Sequence, residues 1–211
     1  MRRRRLRPPA ADVQLPLFAH LYGLDIETDT TIDGLDPQHS QVVAASVSTD
    51  EGQLVFRGPE PDLLRSLDRY LASLPPGVLV TWNGSGFDLP FLADRARARK
   101  VKVGLRLRAD AALPHRHAPI QGHDAPYRAT WHRHGHLDAC CLYRTLLPEG
   151  QSCGLKPVAL DAGLPVVHAD TTAIHLLDPH RLDRYVASDA WLARELGQRA
   201  WADAGRVIDA A

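Results

Sequence analysis

The 211-residue chain has few cysteines, no long apolar run, no net charge and no internal repeat. Cys140, Cys141 and Cys153, without C-x-x-C spacing, exclude a disulfide framework and suggest reduced thiols in a cytoplasmic protein. No stretch approaches the roughly 20 apolar residues a helix needs to cross a bilayer, so no membrane partner is expected. The opening MRRRRLRPPAAD is basic and then proline-containing, with no apolar run behind it that could serve as a leader. It reads as a disordered tail over residues 1–18. The remaining 19–211 has the size and the 45% hydrophobic content of one domain with an ordinary core.

The formal charge of +0 hides a gradient: between Arg95 and Arg133 lie ten Lys and Arg against Asp110 and Asp124. Such a run is either a solvated face or a polyanion-binding one. Alternation in VKVGLRLR puts Val101, Val103, Leu105 and Leu107 on one face of a strand and Lys102, Arg106 and Arg108 on the other. That strand could pair with YRATWHRH. Its charges would either hold phosphates or guard a sheet edge.

Strand patterns occur at HLYGLDIET, QVVAASVST and GQLVFRG, the last two joined by a turn at Asp50–Gly52. EPDLLRSLDRYLASL carries leucines at helical spacing and is stopped by Pro75, Pro76 and Gly77. GVLVTW reads as a buried strand, NGSG as a loop, FDLPFLADRARARK as a helix and HLDACCLY as a returning strand. The C-terminal third reads as helical: a short helix over Leu155–Leu160 ends near Gly163. A longer one is capped by Asp178 with Pro179 and runs towards Ile208. Strand and helix alternate, which argues for an α/β sandwich.

Inside the first strand Asp25 and Glu27 stand two apart and therefore share one face, with Leu24 and Ile26 on the other. Facing carboxylates repel, and a buried pair persists only beside a cation, of which a divalent metal is the strongest. Asp88 opens a predicted helix, where the helix dipole favours its anion. Tyr185 and Asp189, four apart, share a helix face. Each signal also has an ordinary reading: an exposed acidic pair, a helix-start acid, a surface pair. His132, His134 and His136 would line one strand face and raise zinc. No cysteine pair accompanies them, and polar or phosphate-contacting histidines fit as well.

Taken together, LDIET, NGSGFDLPFL, HLDACCLYR, CGLKPVA and YVASD resemble the DEDD exonucleases, in the subgroup with a tyrosine in the third motif. The likeness is closest to the 3′–5′ exonuclease domain of family B DNA polymerases and its stand-alone bacterial relatives, and covers about residues 20 to 200. It implies an α/β, ribonuclease H-like fold with a central mixed five-stranded sheet, second strand antiparallel, flanked by helices. It implies two divalent cations, Mg²⁺ or Mn²⁺, gathered by Asp25, Glu27, Asp88 and Asp189. Asp25 would bridge both, Glu27 and Asp189 would hold the one that activates water, Asp88 would support the other, and Tyr185 would orient the water.

The expected activity is 3′–5′ hydrolysis of single-stranded nucleic acid, DNA first, to nucleoside 5′-monophosphates. Asn83, Phe87, Lys102, Arg106 and Arg108 are candidate substrate contacts. Asp138 is expected to be structural, paired with Arg144. A chain ending where this one does is expected to lack polymerase activity and to need a protein partner for any role in DNA repair or replication. Rival readings are an exoribonuclease or short-oligonucleotide hydrolase, and a nucleic-acid-binding module without catalysis. The presence of all four carboxylates and Tyr185 counts against the last.

Overall fold

The computed structural model describes residues 20–113 and 120–206. The expected tail at 1–18, and Arg116 and Ile208, lie outside the described residues. The chain runs β1 (His20–Thr28), β2 (Val42–Thr49), β3 (Gly52–Phe56), α1 (Glu60–Ser73), β4 (Gly77–Thr81), α2 (Asp88–Ala98), β5 (Leu105–Ala109), β6 (Tyr127–Trp131), β7 (Gly135–Asp138), α3 (Ala139–Leu146), α4 (Leu155–Asp161) and α5 (Pro179–Arg199). Five strands form a mixed sheet in the order β3-β2-β1-β4-β7, with β2 antiparallel to β1 and β3, and β4 parallel to β1 and β7. β5 and β6 form a separate antiparallel pair, with Leu105 opposite Trp131.

Strand alternation decides which helices meet which residues. Tyr22, Leu24 and Ile26 of β1 are buried in one core with Leu63, Leu64, Leu67 and Leu71 of α1 and Leu89, Phe91 and Leu92 of α2. The odd positions of β1 face α5. A Cβ on Gly23 would fall 1.9 Å from the Ala190 carbonyl oxygen, so only glycine allows α5 to lie this close to the sheet. Asp25 and Glu27, next on that face, are thereby aimed at α5.

Three expectations are corrected. HLDACCLY is a strand only as far as Asp138. There the side chain accepts hydrogen bonds from the Cys140 and Cys141 N–H groups and starts α3. A short apolar run such as ACCL fits strand and helix equally well by periodicity. VKVGLRLR is a strand only from Leu105. Its partner is the predicted YRATW segment, but the chain bends at Gly104, whose N–H donates to Asp68, so Lys102 stands before the strand and not on its face. The three histidines do not line one strand: Trp131 and His134 close a tight turn ahead of β7, in which His132 has φ 53°. His132 meets Asp68, His134 the Leu71 carbonyl and His136 Thr81. Among the described residues the one grouping of His, Cys, Asp and Glu able to hold a metal is carboxylate only.

The Asp178 cap is as read, accepting from His180 and Arg181 N–H. α4 also occupies the expected span, before Gly163 at φ 73°.

Candidate active site

The C-terminal end of β1 and the N-terminus of α2 open into a cleft of about 540 Å³, walled on its far side by α5. Asp25 and Glu27 come from β1, Asp88 from the first position of α2, and Tyr185 and Asp189 from the buried face of α5. The 25/27 spacing and the 185/189 spacing thus each bring a pair onto one face, and the closeness of α5 to β1 brings the pairs together. Oxygens of Asp25, Glu27 and Asp189 lie within 4.8 Å of one another. Asp88 stands in the same cleft outside that trio.

The electrostatics are those of crowded anions. Burial, and then the charges of Asp88 and Glu27, hold the Asp25 carboxyl well above the usual carboxylate range, with Lys156 opposing. Glu27 is pushed up to about 8 by burial and by Asp88, again with Lys156 opposing. Asp88 rises to about 7 because it is buried and faces Asp138. Backbone N–H groups of Asp88 itself and Ile26 offset part of that. An all-oxygen donor set that is short of positive charge fits a hard divalent cation such as Mg²⁺ or Mn²⁺ better than zinc.

The cation within the protein is Lys156, near the start of α4. Its ammonium pairs with Asp189 and sits 4.6 Å above the Tyr185 ring. Burial draws it down to about 8, while Asp25 and Glu27 push the other way. Sequence reading placed Lys156 among the matching motifs without giving it a task. Its contact with α5 depends on how α4 docks, which spacing does not reveal. Tyr185 is buried beside Glu27 and Asp25, and both effects raise its hydroxyl above the usual tyrosine value.

The candidate substrate contacts separate. Phe87 lines the cleft beside Trp82, while Phe91, four residues on, is fully buried. Asn83 has φ 69° in the loop before α2 and does not line the cleft. Lys102, Arg106 and Arg108 are exposed and lie outside it. The β5–β6 pair is nevertheless tied to the cleft loop, because Tyr127 N–H donates to the Ser85 carbonyl at 2.8 Å. Arg108 is one register step away from that tie. The opposite rim carries exposed Ile32 and Leu35, for which no periodic pattern gave a signal. It is joined to the segment before α5 by Thr30 Oγ1 and His175 Nδ1, 2.8 Å apart.

Asp138 is structural, as expected, but not through Arg144. Its buried carboxylate accepts from the N–H groups of Asn83, Ser85, Cys140 and Cys141.

Comparison with known proteins finds a matching family profile and a similar fold. The profile of the DNA polymerase family B exonuclease domain matches residues 25–129, a span that holds Asp25, Glu27 and Asp88 but stops short of Tyr185 and Asp189. The fold is similar to that of the family B DNA polymerase from the hyperthermophilic archaeon Pyrobaculum calidifontis, with TM-score 0.69 and 23% identity over 90% of this chain. This chain covers 25% of that polymerase. No curated protein matches the chain.

Proposed function

We propose, for a chain that belongs to the exonuclease-domain family of the family B DNA polymerases and is thereby a nuclease of the ribonuclease H-like superfamily, a specific reaction. It removes nucleotides one at a time from 3′ ends of single-stranded nucleic acid, DNA in preference to RNA, and releases nucleoside 5′-monophosphates. The observation that carries this reading is the meeting of Asp25, Glu27 and Asp189 within 4.8 Å, in a cleft that also holds Asp88 and Tyr185.

Asp25, Glu27 and Asp189 would hold one divalent cation, and Asp25 with Asp88 a second. Such a pair supplies an activated water and stabilises both ends of an in-line displacement at phosphorus. The chain's own groups do the rest. The Tyr185 hydroxyl, kept protonated by its surroundings, donates a hydrogen bond that orients the attacking water and does not act as a base. Lys156 neutralises part of the anionic field that would otherwise repel a phosphodiester.

A cleft of about 540 Å³ is the size of a small-ligand pocket, which suits a chain end drawn out of its stack better than a continuous duplex. Phe87 offers a ring for the terminal base. Arg106 and Arg108, on the hairpin tied to the cleft loop, are placed to meet upstream phosphates. A protein partner that delivers ends in DNA repair or replication belongs to the same reading.

The test is a time course on 5′-labelled single-stranded DNA and RNA with Mg²⁺, Mn²⁺ or EDTA. Stepwise shortening with either ion, faster on DNA and absent in EDTA, supports the proposal. Cleavage that survives EDTA, or none with either ion, overturns it.

A further inference from the structure

Thr81 ends β4 and Asp138 ends β7, and the two are register partners in parallel strands. From Thr81 the chain must cross the end of the sheet and enter α2 at Asp88 within six residues. The crossing is tight: Asn83 takes φ 69°, and a Cβ on Gly84 would fall 2.2 Å from Thr81 Oγ1. Asp138, 3% exposed, stands beneath it. Its Oδ1 accepts from Asn83 N–H at 2.9 Å, Cys140 N–H at 3.0 Å and Cys141 N–H at 3.3 Å, and its Oδ2 accepts from Ser85 N–H at 2.9 Å.

Capping α3 accounts for the two cysteine bonds. It does not account for the other two, which reach 53 and 55 residues back along the chain. From those two amides the hydrogen bonds continue towards the cleft. The Asn83 carbonyl accepts from Gly86 and Phe87 N–H, each at 3.0 Å, and the Gly84 carbonyl accepts from Leu89 N–H at 3.1 Å, inside the first turn of α2.

We propose that Asp138 is a positioning residue for the reaction: its carboxylate clamps the Asn83 and Ser85 amides, fixes the loop between β4 and α2, and so holds Asp88 in the cleft. The inference rests on the nuclease reading for the task of Asp88, and on hydrogen bonding alone for the clamp. A displacement of about 1 Å at a reacting centre can cost on the order of a hundredfold in rate, so a clamp remote from substrate can govern turnover.

The variants are Asp138→Asn and Asp138→Ser. Asn, Ser and Asp are near-equivalent helix caps, so α3 keeps its start and the melting temperature stays within a few degrees. The clamp does not survive, because Asn sets an amide N–H₂ against one loop N–H and Ser is too short to span both. Three measurements follow, the first on metal-free protein. Amide exchange at Asn83, Ser85, Gly86 and Phe87 should accelerate at least about tenfold as the loop opens locally. By calorimetry the Mn²⁺ dissociation constant should rise at least about fivefold, since one carboxylate ligand is no longer held in place. On a dinucleotide, kcat should fall at least about tenfold while KM moves less than about threefold.

If Asp138 caps α3 and does nothing more, these cap-preserving variants would leave amide exchange in the loop, Mn²⁺ affinity and kcat all unchanged. That result overturns the proposal, as does loss of the fold in both variants. A wild-type protein that binds no Mn²⁺ overturns the nuclease reading and this proposal together. A wild type that binds Mn²⁺ beside variants that bind it equally well overturns only this one.

Discussion

Replacing Glu27 with Gln keeps the shape of the side chain and removes one of the facing carboxyl groups, so the metal-free protein should become more stable as hydrolysis is lost. Glu27 in the folded protein holds its proton up to about pH 8, against an ordinary value of 4.5. The folded state therefore binds that proton more tightly than the unfolded chain. The stabilisation it contributes is complete below the unfolded value and is lost as pH rises through about 8. At pH 7 the unfolded chain has released the proton, and keeping it costs the folded protein at most on the order of 3 kcal/mol. Asp25 and Asp88 share the same repulsion and Lys156 offsets some of it, so about 1–2 kcal/mol is the expected gain in the variant. For a domain of this size that corresponds to a melting temperature higher by roughly 3–6 °C. Scanning calorimetry of EDTA-treated protein from pH 6 to 8.5 reads it directly. Wild type should lose stability across this window, the Gln variant less steeply, and saturating Mg²⁺ should flatten the wild-type slope. A Gln variant that melts below wild type at pH 8 would refute the claim that these carboxylates destabilise one another.

Asp189→Asn should behave oppositely, because it leaves the Lys156 ammonium facing a neutral amide: the melting temperature falls, by about 1 kcal/mol of stability. A variant that melts as wild type would show Lys156 taken up by Asp25 and Glu27 instead. Tyr185→Phe keeps the ring beneath Lys156 and loses only the hydroxyl, so single-turnover hydrolysis should slow by about tenfold, one hydrogen bond's worth, with Mn²⁺ affinity unchanged. A wild-type rate at every pH would remove Tyr185 from the mechanism. Reversing Arg106 and Arg108 to Glu should raise KM for long oligonucleotides and flatten the log–log salt slope by about 1.4, two phosphates' worth on a single strand, while a dinucleotide is cleaved as before. Equal kinetics on both substrates, with more aggregation, would instead make these arginines guards of a strand edge.

Most of the sheet was legible from short-range periodicity, whereas the carboxylates were gathered into one set only by the family resemblance. A spacing of two put Asp25 and Glu27 on one strand face, and a spacing of four put Tyr185 and Asp189 on one helix face. That these faces meet depends on Gly23, whose missing side chain lets α5 approach β1, and no local pattern announces such a contact. The same limit hid the pairing of Lys156 with Asp189 across 33 residues. Lys102 was misplaced because strict alternation carried the eye across Gly104, where the backbone bends to bond Asp68. HLDACCLY misled in the opposite way: a capping aspartate followed by four apolar residues also fits a strand, until its side chain is seen bonding the amides ahead of it. The partners of Asp138 were out of reach, since a carboxylate that bonds backbone N–H groups leaves no complementary charge to read.

The central claim is that the four-carboxylate cleft acts on a strand end. Linear single-stranded DNA and its ligated circle, equal in length and sequence, should be incubated with the protein and Mn²⁺ in one tube. The linear strand should shorten from its 3′ end to nucleoside 5′-monophosphates while the circle persists, and neither should change with Asp25→Asn. Circles cut as fast as linear strands, or an Asp25→Asn protein that degrades both, would contradict the account.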